Sequence, residues 1–200
     1  MEITVKLLLG TKNPGKIQEA EAILALKGLG LDLLTCKDVP FSEVDEDGAT
    51  YEENSLKKAR IIHNQAELPV LSDDSGLEVD ELNGAPGVLS SRFAGSEASD
   101  EENTELLLDK LQGTENRRAR FVTVATLYFS RDRKYQTTGI LEGHIAGERR
   151  GHSGFGYDPV FVPDGFEKTL AQLGSFKKNE ISHRKRALVK MKEILGDILN

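Results

Sequence analysis

A short apolar run, Val5-Lys6-Leu7-Leu8-Leu9, feeds the polar turn Gly10-Thr11-Lys12-Asn13-Pro14-Gly15-Lys16, and the turn opens a helical pattern. A buried strand that passes through a tight turn directly into a helix is the building unit of α/β sheets. The turn has the Gly-x4-Gly-Lys spacing of a phosphate loop, but Ile17 stands where that motif carries Ser or Thr. In a phosphate loop that hydroxyl helps to hold Mg²⁺. A phosphate can therefore be gripped at this helix start, but a metal must be held by other residues.

The rest of the first third repeats the pattern. The first strand is expected over residues 3–9. Asn13 is placed to cap the first helix, with Pro14 at its first position. Ile17, Ala20, Ile23, Leu24 and Lys27 trace that helix, Gly28 and Gly30 end it, and Ile17 reads as a core residue. A second strand is expected over 31–35. Thr50-Tyr51-Glu52-Glu53 reads as a capping box for a helix whose apolar stripe is Leu56, Ala59, Ile62 and Ala66. Residues 69–72 form a third expected strand.

The middle of the chain changes character. Ser99-Asp100-Glu101-Glu102 is another capping box, for a helix reaching Leu111. Residues 120–130 and 134–145 read as a long antiparallel hairpin, 159–163 as a short strand, and 182–199 as the last helix. The expected fold is α/β: one domain over residues 1–200, with an elongated mixed sheet flanked by helices, in two lobes around a central active-site cleft.

Composition narrows the function. Net charge is −7, which argues against general affinity for nucleic acid or an anionic membrane. A polyphosphate ligand would need a local cluster of cations. Cys36 is the only cysteine, as expected in a reducing cytoplasm. No run of apolar residues is long enough to span a bilayer. The histidines lack zinc-ligand spacing, and neither Cys36 nor Ser75 has the surroundings of a catalytic nucleophile.

Four further segments carry chemistry. In Leu71-Ser72-Asp73-Asp74-Ser75-Gly76-Leu77, two acids follow an expected buried strand, where open α/β sheets bind ligands. Neighbouring residues on a strand face opposite ways, so one of the two acids enters a given site. Hard carboxylate oxygens suit Mg²⁺, which takes one or two carboxylates together with substrate phosphates. The run Glu43-Val44-Asp45-Glu46-Asp47-Gly48 can bring a second carboxylate, and it also reads as a solvated loop. Gly151-His152-Ser153-Gly154-Phe155-Gly156-Tyr157-Asp158-Pro159 places two aromatics among glycines, either stacked on a base or plugged into the core. Ser175 to Arg186 is rich in cations at the expected start of the last helix, where positive charge is unfavourable unless offset.

Together these segments resemble the inosine triphosphate pyrophosphatase family, hydrolases of non-canonical purine nucleoside triphosphates. The resemblance runs through nearly the whole chain. It rests on Thr11-Lys12-Asn13-Pro14-Gly15-Lys16, on Ser72 to Leu77 with Asn83-Gly84-Ala85-Pro86-Gly87, on Gly154 to Pro159, and on Ile181-Ser182-His183-Arg184. It implies a homodimer, Mg²⁺ dependence, and Asp74 as both proton acceptor and metal ligand. Asp45 falls at the position of the second metal acid, with Glu46 close behind. Thr11, Lys12, Asn13, Pro14, Gly15, Lys16, Ser75 and Lys178 match substrate contacts. Phe155, Gly156, Tyr157, Asp158, His183 and Arg184 match contacts to the nucleotide.

The expected reaction is hydrolysis of ITP, dITP or XTP to the monophosphate and pyrophosphate, cleansing the nucleotide pool. A pyrophosphatase for modified pyrimidine or methylated nucleotides, and a non-enzymatic nucleotide-binding module, are the alternatives. The first is opposed by His183-Arg184, and the second has no use for Asp74.

Overall fold

A computed structural model describes residues 5–24 and 30–199. Residues 3–4 of the first expected strand, and the expected helix end at Lys27 and Gly28, lie outside the described residues. In chain order the elements are β1 (Val5–Leu9), α1 (Pro14–Leu24), β2 (Leu31–Leu34), α2 (Tyr51–Ala66), β3 (Val70–Val79), β4 (Pro86–Gly87) and α3 (Asp100–Lys110). They continue with β5 (Arg118–Tyr128), β6 (Lys134–Ile145), β7 (Phe161–Pro163), α4 (Leu170–Ile181) and α5 (His183–Leu199). The described strands form a mixed seven-stranded sheet in the order β2-β1-β3-β5-β6-β7, with β4 paired to β3. The fold is thus the expected α/β arrangement of a mixed sheet with helices.

The chain divides into two compact units. Unit 1 comprises residues 1–74, 123–139 and 184–200, and unit 2 comprises 75–122 and 140–183. In unit 1, β1 pairs in parallel with both β2 and β3. Alternation along β1 sends Leu7 and Leu9 into one core with Ala20, Leu24, Leu188 and Met191, and Leu8 into another with Ala59, Ile62 and Val70. Each such buried leucine stabilises the fold by about 1.5–3 kcal/mol. In unit 2 the core gathers Leu77, Val79, Leu107, Phe121, Ile145, Tyr157 and Phe161.

Most local signals act as the sequence predicts. Asn13 Oδ1 accepts from Lys16 N–H at 3.1 Å and caps α1. Ile17 is half-buried rather than in the core, which starts at Ala20. Ser99 and Glu102 form the full capping box of α3. On α2 only half of the box forms. Thr50 accepts from Glu53 N–H, while the Glu53 carboxylate reaches the Ala49 amide instead.

Two elements differ from expectation. β3 runs ten residues, so Asp73 and Asp74 lie mid-strand. The Ser75-Gly76 pair reads as a turn, but Leu77 and Val79 continue the alternation and are buried in unit 2. The basic stretch 175–186 is not one helix start. Thr169 and Gln172 make a capping box that opens α4, Gly174 kinks it, and Ser182 closes it before α5 begins. Lys177 and Lys178 thereby fall near the C-terminal end of α4, where cations are favourable.

Candidate active site

The site residues fall into two clusters, one in each unit. The first is built where the parallel pairing of β1 with β3 ends, at Leu9 and Leu71. Gly10 donates from its N–H to Leu71 O at 2.8 Å. A Cβ on Gly10 would lie 2.9 Å from Val70 Cγ1 and 3.1 Å from Ser72 Cβ, so only glycine lets the turn run this close to β3. Asp73 and Asp74 follow directly, and the strand pleat sends their side chains to opposite faces.

Asp73 meets cations. Its Oδ2 lies 3.1 Å from Lys16 Nζ and accepts from Arg184 Nε at 3.2 Å. Arg184, at the start of α5, also pairs with Glu19 of α1. Arg184 and Glu19 are both buried, so the charges offset one another in place of water. Burial first, opposed by the Asp73 carboxylate, sets the Lys16 ammonium below its ordinary pKa. For Arg184 burial is the largest influence and lowers the pKa, but Asp73 and Glu19 outweigh it and raise it.

Asp74 meets a different environment. It is 4 % exposed, and its Oδ2 accepts from Asn54 Nδ2 at 3.0 Å. Burial, with the charge of Glu46 added, pushes its carboxyl up to about 6 against the pull of Lys16 and Lys58. Glu46 in turn pairs with Lys58 of α2, whose pKa is lowered by burial but raised overall by Glu46, Asp73 and Asp74. Within the acidic run the structure therefore brings Glu46 to Asp74, while Asp45 is exposed. Lys12 is turned to the surface, 3.2 Å from Glu43 and stacked over Phe41. Thr11, Asn13, Pro14 and Gly15 form the turn itself, with Thr11 Oγ1 accepting from Asn13 N–H at 3.2 Å.

Sequence reading missed Asn54 and Lys58. Their signal was present. They stand four residues apart on the face of α2 that buries Tyr51, Ser55, Ala59 and Ile62, so a polar pair occupies apolar spacing.

The second cluster lies in unit 2. Asp158 is buried, 2.6 Å from Lys178 Nζ, and accepts from Phe155 N–H at 2.9 Å. A Cβ on Gly154 would lie 2.9 Å from Asp158 Cγ, and φ there is +86°, so glycine is required twice over. Lys178 Nζ sits 4.1 Å from the centroid of the Phe155 ring, a cation–π contact. Gly156 N–H donates to Asp100 at 2.6 Å. Tyr157 is a core residue, donating from its hydroxyl to Ser90 O at 2.8 Å. Burial first, and Asp100 second, push its phenol well above the ordinary range, so it remains a neutral donor. His183 lies flat on Phe121, with ring centroids 4.7 Å apart and planes 8° from parallel. Ser75 begins unit 2 and is half-buried. The neighbours His183 and Arg184 therefore belong to different clusters.

The chain as a whole matches known proteins. The Ham1 family's sequence profile matches residues 7–194. The chain belongs to the Ham1 family. Among its relatives, a protein of Geobacter sulfurreducens named dITP/XTP pyrophosphatase is 46% identical over 194 residues, 96% of each chain. A Bacillus subtilis protein of the same name is 40% identical over 198 residues, 98% of this chain and 99% of that one. The solved structure of a HAM1 protein from Coxiella burnetii has a TM-score of 0.88 and 36% identity, covering 97% of this chain and all of that one. A Ham1-family chain with this fold gives the strand–turn–helix opening a context other than the phosphate loop. Thr11 and Lys16 line one cavity with Asp73 of β3.

Among the described residues, no group of three or more His, Cys, Asp or Glu side chains gathers as a complete metal cage. Asp74 and Glu46 suit a hard divalent cation that takes its remaining ligands from substrate phosphates and water. The raised pKa of Asp74 fits such an ion, because a cation would relieve the repulsion between the two carboxylates.

Proposed function

We propose that this Ham1-family chain hydrolyses the non-canonical purine nucleoside triphosphates ITP, dITP and XTP to the nucleoside monophosphate and pyrophosphate. The observation that carries the reading is Asp74: a buried carboxylate poised at about 6, with Glu46 acting on it and Lys16 and Lys58 nearby. Two relatives that share nearly the whole chain with it carry the name dITP/XTP pyrophosphatase.

Lys16 and the amides at the start of α1 hold phosphate oxygens. Asp74, ionised at neutral pH yet basic enough to accept a proton, orients and deprotonates the water that attacks the α-phosphorus. Bound Mg²⁺, held by Asp74 and Glu46, would neutralise charge on the triphosphate and on the departing pyrophosphate. Lys58 keeps Glu46 in place.

Base choice falls to the second cluster. Hypoxanthine and xanthine carry a keto oxygen at C6 where adenine carries an amino donor. A donor from the His183 ring, held flat by Phe121, accepts the keto form and opposes the amino form. Arg184 is engaged by Glu19 and Asp73, so donor duty falls first to His183. One donor left facing an amino group costs about 1–3 kcal/mol, a rate preference of roughly 5- to 150-fold. Phe155, backed by Lys178, offers a ring for the base to stack on.

The family resemblance supports a homodimer. A cytoplasmic location is supported by the lone Cys36, and no helix among the described residues is long and apolar enough to cross a membrane. Measuring pyrophosphate release from ITP, dITP, XTP, GTP and ATP with Mg²⁺ tests the whole reading. The keto purines ITP, dITP and XTP should exceed ATP by at least about fivefold. Equal rates across the panel would reject the donor account.

A further inference from the structure

Beside Asp74 one buried side chain uses both ends of its amide. Asn54 is 1 % exposed. Its Oδ1 accepts from Gly48 N–H at 2.7 Å, and its Nδ2 donates to Asp74 Oδ2 at 3.0 Å. A backbone N–H can only donate, so Oδ1 must face Gly48 and Nδ2 must face Asp74. Turning the amide over would break both bonds. Gly48 is pressed against this group. A Cβ there would lie 2.7 Å from Asn54 Oδ1 and 2.9 Å from Glu53 Cβ.

Gly48 stands two residues after Glu46, and Asn54 stands four residues before Lys58, the partner of Glu46. The acidic loop is thus fastened to α2 by ion pairs at Glu46 and Asp47, with Lys58 and Lys57, and by a hydrogen bond at Gly48. The Asn54 link goes on to Asp74 by a hydrogen bond.

We propose that Asn54 is a positioning residue that sets the spacing between Glu46 and Asp74. This rests on the pyrophosphatase reading above. A merely structural asparagine would change stability when removed. A positioning asparagine changes turnover at nearly constant substrate affinity.

Three variants separate these. Asn54→Ala removes both bonds. Asn54→Asp keeps the acceptor for Gly48 but cannot donate to ionised Asp74. Gly48→Ala keeps Asn54 but crowds it. With dITP as substrate, Asn54→Ala and Asn54→Asp should each lower kcat ~100-fold with KM within about threefold, the scale of a misplacement near 1 Å. Gly48→Ala should lower kcat about tenfold. Added to Asn54→Ala it should cost clearly less than tenfold further, because the clash with Asn54 Oδ1 is gone and only the approach to Glu53 Cβ remains.

Amide hydrogen exchange supplies a readout apart from activity. The Gly48 amide should exchange slowly in the wild type and in Asn54→Asp, and fast in Asn54→Ala. Asn54→Ala turnover within twofold of wild type, or losses that multiply in the double variant, would overturn the proposal. So would a Gly48 amide indifferent to Asn54, or an Asn54→Asp chain that cannot fold. The exchange data test the bridge whether or not pyrophosphate is released. Active wild type with unaffected variants would sink the positioning role alone.

Discussion

Asp73 and Asp74 are neighbours on one strand, of one residue type, and the two faces of β3 treat them in opposite ways. Asp73 faces Lys16 and Arg184, and Arg184 is shared with Glu19, so two acids meet two bases. Asp74 faces burial and the like charge of Glu46, offset only in part by Lys16, Lys58 and the Asn54 amide. The first arrangement is balanced charge, which fixes α1 and α5 against the strand. The second keeps a carboxylate reluctant to ionise, which is how a general base is tuned. The lesson is that role is assigned by the facing partners and not by the motif.

The largest effect is expected on the Asp73 face. Arg184→Ala leaves Glu19 and Asp73 buried without their guanidinium. It should cost about 3–5 kcal/mol in urea unfolding, because an uncompensated buried charge remains. A loss under about 1 kcal/mol would remove that face from the stability of the fold.

On the Asp74 face the sign reverses. Its pKa in the fold is raised to about 6, above the unfolded value, so ionising it opposes folding. The penalty is absent below about pH 4, grows as pH rises from 4 to 6, and is constant above that. In chelator-treated protein, Asp74→Asn should therefore be more stable than wild type by about 3 kcal/mol at pH 7 and nearly equal to it at pH 4. Urea unfolding at the two pH values checks this. A variant that is less stable than wild type at pH 7 would show that Asp74 is a structural acid after all.

The smallest effect belongs to a pair with neither burial nor a site. Arg118 bonds Asp164 at 2.8 Å with both side chains half exposed. Arg118→Ala should leave Tm within roughly 2 °C in a thermal melt, as solvent screens such pairs. A larger drop would mean that surface charge, and not burial, orders the comparison.

Much of this was legible in the sequence because it is local. The Asn13 cap, Pro14 at the first helical position, the Ser99 capping box and the buried β1 run depend on residues within one turn or one strand. The opposite facing of Asp73 and Asp74 followed from the strand period alone. What could not be read depends on residues far apart in sequence. Glu46 pairs with Lys58 and its charge acts on Asp74, and Arg184 turns toward Asp73, 111 positions away. The extent of β3 was hidden because Ser75-Gly76 has turn composition, which pairing with β4 overrides. The start of α4 was legible in Thr169 and Gln172 but masked by the cations that follow.

The central claim is that Asp74 drives hydrolysis at the α-phosphorus. Single-turnover release of pyrophosphate from dITP, compared between wild type and Asp74→Asn at equal bound nucleotide, tests it most directly. The account predicts pyrophosphate and not orthophosphate from wild type, and at least ~1,000-fold slower release from the variant with dITP still bound. Orthophosphate as the product, or a variant that turns over at near wild-type rate, would contradict it.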